Sequence, residues 1–168
     1  MANSATSTHL KVVIGEAVIA SSAATLSTAA LEVPVWAMFV GWISFFTRGV
    51  NLKQGVVNLA CVLIGLALGI GAAHAMAVLT PLLGGYAISA VVFAVTGIAL
   101  SLAKVPVFNN LLGFFLGLVA YFAAHQPPSM SAFSMLTVAA TLGATAAFLA
   151  HALQKRIHQN AGQAKFVS

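Results

Sequence analysis

Glu16 is the one carboxylate inside an apolar run of a chain that holds only two acidic residues. Burying an ionisable group at mid-membrane costs at least about 2–3 kcal/mol, so such a residue is a functional candidate. Glu16 follows Lys11 by five residues, about one and a half helical turns. At that shallow depth two readings are open: a structural anchor near interfacial water or a basic loop, or a group that handles a proton or solute. Ser21, Thr25 and Thr28 fall with Glu32 in a stripe about 60° wide on a helix. Glu16 points to nearly the opposite side. A hydroxyl stripe that ends in a carboxylate could line an aqueous path, or it could hydrogen-bond to neighbouring helices at about 0.6 kcal/mol per contact.

The amides and aromatics supply the other candidates. Asn109 and Asn110 follow Pro106 closely. Their side chains can cap a helix start or hold a solute there, where free N–H groups point outward. Asn58 shares a helical face with Cys61, Gly65, Gly69 and Ala72. Gly65 and Gly69 form a GxxxG pair that permits close backbone approach, which favours helix packing on that face. Gly113 and Gly117 form a second pair, matched by Ala37 and Gly41. Trp42 and Tyr121 sit in two matching aromatic segments and are candidates to line a narrow passage; packing is the reading for most of their aromatic neighbours. Thr137, Thr141 and Thr145 recur every four residues, but a buried threonine can bond back to its own helix, so this stripe is weak support for a pore.

Much common chemistry lacks its residues. The five histidines do not cluster, so the sequence predicts no metal site. His74 and His125 could pair across the outer face and respond to pH. No Walker-type glycine loop, no Ser–His–Asp set and no carboxylate pair occurs, so no enzyme and no cofactor are expected. The single cysteine, Cys61, can form no internal disulfide.

The elements that must position these residues are membrane helices. Of the 168 residues, 61% are hydrophobic and only 5% charged, and the mean hydropathy is +1.03. Soluble domains carry about 25% charged residues, so this surface must face lipid. Six apolar runs are legible: Val12 to Leu31, Val35 to Thr47, Gly55 to Leu79, Leu82 to Ala103, Val107 to Ala124, and Ala132 to Leu153. They are continuous and rich in alanine and glycine, unlike the alternating segments of a membrane barrel. The first run could also be read as a signal peptide, but Glu16 and its five hydroxyl residues are unusual in one.

Charge then orients the spans. If every run crosses, Lys11, Arg48, Lys53, Lys104, Lys155, Arg156 and Lys165 all fall on the side of the N-terminus. The outer connections at Glu32-Val33-Pro34, Thr80-Pro81 and His125 to Ser131 contain no lysine or arginine. This is the positive-inside pattern, with both termini cytoplasmic. A re-entrant second run would put Arg48 and Lys53 outside and break it. The net charge of +5 therefore reads as a topology signal, with no nucleic-acid partner expected. The tail 154–168 is short and basic, and is expected to anchor to anionic headgroups without folding.

The chain also repeats itself. Val33-Pro34-Val35 matches Val105-Pro106-Val107, and Phe39 to Thr47 aligns with Phe115 to Ala123. Between the two matches the second copy carries four extra residues. Each half reads as a long helix, a proline-initiated aromatic helix and a long helix, with proline suited to the first turn. Three spans is an odd number, so the halves would lie inverted, as in many transporters. The expected fold is all-α: one polytopic domain over 1–168, with repeat one at about 10–79 and repeat two at about 82–153.

The segment Trp36 to Gly49 (WAMFVGWISFFTRG), followed by LKQGVVNL and GLALG, resembles the YcdZ-like (DUF1097) inner-membrane proteins of bacteria. The similarity runs over almost the whole chain and is most specific around Trp36, Gly41 and Phe46. The resemblance implies a bacterial inner-membrane protein and supplies no activity or catalytic residues. The residues themselves suggest a channel or facilitator for a small, mostly uncharged solute, expected as a homo-oligomer among membrane lipids. The alternatives are a proton- or cation-coupled transporter that uses Glu16, or a non-transporting assembly or regulatory subunit.

Overall fold

The computed structural model describes residues 2–167, with side chains over 6–163. Among these residues the secondary structure is helical, with no strand. The helices are α1 (Ala2–Ala29), α2 (Val35–Phe46), α3 (Leu52–Leu83), α4 (Ala87–Leu102), α5 (Leu111–Ala123) and α6 (Met130–Val167), with a 3₁₀ turn at Gly84–Tyr86. Three apolar stretches are long enough to cross a membrane: Thr6–Ala29, Leu52–Leu102 (α3 with α4) and Met130–Gln163. The bundle carries apolar residues on its outside as well as in its core; Phe93 is 84% and Leu82 75% exposed. Such a surface suits a lipid surround. The chain is thus a membrane-type helical protein.

Several boundaries differ from those expected. Thr80-Pro81 is not a connection: α3 runs through Pro81 to Leu83. Proline removes one hydrogen bond near the helix end, where few remain to lose. Gly84, at φ 53°, stops the helix instead, in a conformation suited to glycine. Pro34 stands at the N-cap of α2, but Pro106 does not begin α5. The extra residues of the second copy form a series of turns, and Asn110 caps the helix. The tail also folds: α6 continues to Val167. Its Gln, Lys, Arg and Ala content favours a helix, and only Gly162 opposes it. Lys165 lies outside the residues whose side chains are described.

The two short helices are the centre of the packing. Helix α2 packs chiefly on α6 and α5 chiefly on α3, while α1 lies along α6 and α4 along α3. Glycine permits both close crossings. A Cβ on Gly41 would overlap the Ala140 carbonyl, and one on Gly143 the Met38 carbonyl. In the other pair, a Cβ on Gly117 would overlap the Val62 carbonyl, and one on Gly65 the Phe114 carbonyl. Only glycine lets two helix backbones come this close. Between the crossings the bundle centre is filled by Leu66, Tyr121, Leu136 and Ala139, and Ala37 and Val33 extend this cluster to the link after α1.

Contacts also bring the basic segments together. Gly15 of α1 lies against Leu153 of α6. Phe45, at the end of α2, stacks near His151 of α6, and Gly55 of α3 lies against Phe45. Asn110, before α5, bonds Asn58 of α3. Lys11, Arg48, Lys53, Lys104 and Lys155 therefore flank one end of the bundle, the basic end. The Glu32–Pro34 link and the Gln126–Ser129 link lie at the opposite end.

Candidate functional site: an amide knot at the basic end

Where the last turn of α2 stops, three helices meet around two fully enclosed amides. Asn58 projects from the small-residue face of α3. Its Nδ2 donates to the carbonyls of Arg48 at 2.9 Å and Phe45 at 3.4 Å, two of the unpaired acceptors that follow from a helix end. Asn110 donates through Nδ2 to Thr47 Oγ1 at 2.7 Å and to Asn58 Oδ1 at 2.8 Å. Its own Oδ1 accepts from the Gly113 N–H at 3.1 Å and so caps α5. Each amide uses both N–H groups and its oxygen, so neither has a donor left for a solute.

The knot extends outward through Arg48. Its Nε and Nη2 both donate to Gln54 Oε1, at 3.0 and 2.7 Å. Nη1 is enclosed without a partner. Asn51 caps α3 by accepting from the Gln54 N–H at 3.0 Å. Inward, Thr47 donates to Ser44 and Ser44 to Gly41, each at 2.7 Å. Cys61 lies one turn beyond Asn58, fully buried, with Sγ 3.8 Å from the Phe108 carbonyl.

The other candidates are placed apart. Asn109 is exposed although its neighbour Asn110 is buried. Ser21, Thr25 and Thr28 lie on the outer face of α1, and each donates to a carbonyl of its own helix. The enclosed hydroxyl of α1 is Ser27, which donates to Val33 O at 2.9 Å. Glu16 is half-buried, toward the face of α1 that carries Val12 and Ala23. Trp42 packs with Ile19, Ala23, Met38 and Ala146 between α1 and α6. Tyr121 fills the bundle centre, its hydroxyl donating to Gln126 O at 3.4 Å. The structure therefore joins Asn58 with Asn110 and leaves the other seven outside that pair, with Ser21, Thr25 and Thr28 together on one face of α1.

Several grooves open at the bundle surface, two of them of about 420 Å³ or more. One of about 550 Å³ lies between α4 and α5 and is walled almost wholly by apolar side chains, Val91, Phe115 and Leu118 among them. The other, of about 420 Å³, lies between α3 and the start of α6 and includes His74 and Ser129. Among the described residues no three His, Cys, Asp or Glu side chains gather in a way that could hold a metal.

A family model described as "Protein of unknown function (DUF1097)" matches residues 13–153. The chain belongs to the DUF1097 family. No curated protein and no solved structure matches it. The match covers all six helices of this DUF1097 chain in whole or part, and the whole amide knot.

Sequence reading picked out both asparagines of the knot but not their partners. Thr47, Arg48 and Gln54 lie at a helix end, where one dimension shows only a polar boundary. A signal was available: a hydroxyl and a helix-ending carbonyl cluster fall where the α2 match ends, opposite an amide on each of two glycine-faced helices.

Proposed function

We propose that this protein spans the bacterial inner membrane six times as two inverted three-helix halves, and serves as a facilitator for a small, mostly uncharged solute. The observation that carries the reading is the exchanged packing of the short helices. Each short helix lies on the last long helix of the other half, α2 on α6 and α5 on α3. Gly41 and Gly117 hold matching places in the sequence repeat, and so do the residues that meet the partner glycines, Met38 and Phe114. A pseudo-twofold axis would relate α1 to α4, α2 to α5 and α3 to α6. Halves related in this way, with substrate paths at their interface, are a transporter and channel architecture.

Short helices suit this reading. Twelve and thirteen residues span about 18–20 Å, less than a hydrocarbon core of about 30 Å. The carbonyls that follow α2 are bonded by Asn58, as non-helical backbone at membrane depth requires. The basic end would face the cytoplasm. On this reading the packed cluster of Leu66, Tyr121 and Leu136 is a shut form, and conduction requires the halves to part. The exposed faces of α4 are available for homo-oligomer contacts and lipid.

Reconstituted protein should speed the entry of small neutral amides or polyols into liposomes, read by light scattering. Flux equal to that of empty vesicles would remove the facilitator reading. Glu16→Gln should leave the flux intact; its abolition with normal expression would instead support coupled transport. The filled centre favours a second reading, a non-transporting assembly subunit. That reading expects stable copurification with a larger membrane complex and no flux alone.

A further inference from the structure

We propose that the bundle opens at the end away from the basic residues, through the groove between α3 and the start of α6, and pivots on the Asn58–Asn110 knot. The groove is then the solute's entrance. The inference deepens the facilitator reading and rests on it for the word entrance; the movement itself is separately measurable.

The groove approaches the closed centre. Its walls include Ala67, Ile70, His74, Pro128, Ser129 and Phe133. Ile70 and Phe133 are half-buried, and both pack against the central cluster of Leu66, Tyr121 and Leu136. Ile70 and Phe133 thus touch both the groove and that cluster.

The two ends of the bundle are held by different forces. At the basic end the knot ties the close of α2, the body of α3 and the start of α5 by hydrogen bonds. Each member of the knot has an apolar counterpart in the other half. Leu136 precedes its crossing Gly143 by the same seven residues that separate Asn58 from Gly65. Pro34 caps α2 where Asn110 caps α5. Ala123 aligns with Thr47. At the opposite end the side-chain hydrogen bonds among the described residues are local, Ser27 to Val33 and Tyr121 to Gln126 among them. Apolar contacts are exchanged for contacts with lipid or solute when helices part. Enclosed amides have no replacement partner there, so the tied end stays shut while the apolar end separates.

The chain's single cysteine provides one probe. Cys61 is fully buried one turn behind the knot. The second is Leu136→Cys in a Cys61→Ala background, which places a thiol in the centre. Both are exposed in turn to a membrane-impermeant methanethiosulfonate reagent on each side of sealed vesicles. The central thiol should react from the side opposite the basic end, about tenfold or more faster than Cys61 reacts from either side. Asn110→Ala should raise the Cys61 rate by about tenfold or more, reached from the basic side. Equal rates for the two thiols, protection of both, or a Cys61 rate indifferent to Asn110→Ala would overturn the proposal. Should Leu136→Cys fail to fold, Ala139→Cys, equally enclosed in the centre, supplies the same readings. Labelling as expected without solute flux would leave the opening intact and reject the facilitator.

Discussion

Asn110 donates a hydrogen bond to Asn58 at 2.8 Å, across 52 positions of the chain, and so joins the cap of α5 to the body of α3. The pair is enclosed, and each amide also holds a helix end: Asn58 donates to the Phe45 and Arg48 carbonyls at and just past the close of α2, and Asn110 caps α5. Two buried polar side chains thus fix the meeting of three helices.

Removing either amide should therefore destabilise the fold. Asn110→Leu leaves Asn58 Oδ1, Thr47 Oγ1 and the Gly113 N–H short of partners, at about 1–3 kcal/mol for an enclosed orphan group. Asn58→Leu should cost a similar amount. The double variant should lose less than the sum, because each single change strands the other amide. Thermal unfolding in detergent gives all four corners of the cycle, and strict additivity would show that the two amides act independently.

Glycine substitutions should separate into two classes. Gly41→Ala, Gly117→Ala and Gly143→Ala each place a methyl into a backbone carbonyl. Overpacking of this kind costs about 1–3 kcal/mol or more. Gly71→Ala and Gly97→Ala meet nothing within 4 Å, so they should be neutral or stabilise their helices by about 0.5–1 kcal/mol. Folded yield in detergent ranks the five variants, and equal losses in both classes would contradict the crossing geometry.

The hydroxyls of α1 should also divide. Ser21→Ala and Thr25→Ala remove exposed groups that bond only their own helix, and surface changes of this kind stay within about 0.5 kcal/mol. Ser27→Ala removes an enclosed bond to Val33 O and should cost about 1 kcal/mol. The same unfolding measurement distinguishes them.

Topology is open to a direct test. A tag inserted beside Gly49 should be reachable only from the cytoplasm, and one after Gln126 only from the periplasm. Periplasmic access to the first tag would reverse the assignment of the basic end.

The membrane class was legible in composition, because 5% charged residues cannot cover a water-facing surface. The helix count and some boundaries, those of α2 among them, followed from the runs of apolar residues. Boundaries slipped where a breaker competed with its context: Pro81 was tolerated near a helix end, and Gly84 ended the helix through its positive φ. The asparagines were visible as polar residues among glycines, but the closure of their hydrogen bonds was not. Ser21, Thr25 and Thr28 illustrate the converse. Periodicity put them on one face of α1, yet could not tell an outer face from an inner one, since lipid and core both accept apolar neighbours.

The sequence by itself determined that this chain is helical and of membrane type, that its basic residues fall outside the apolar runs, and that two of its segments share an aromatic–glycine pattern, because hydropathy, charge and short motifs are properties of consecutive residues. Only the tertiary structure decided that α2 lies on α6 and α5 on α3, that Asn58 meets Asn110, and that apolar side chains fill the centre. Those outcomes depend on which backbones can approach closely, and that is set jointly by glycines and carbonyls far apart in the chain.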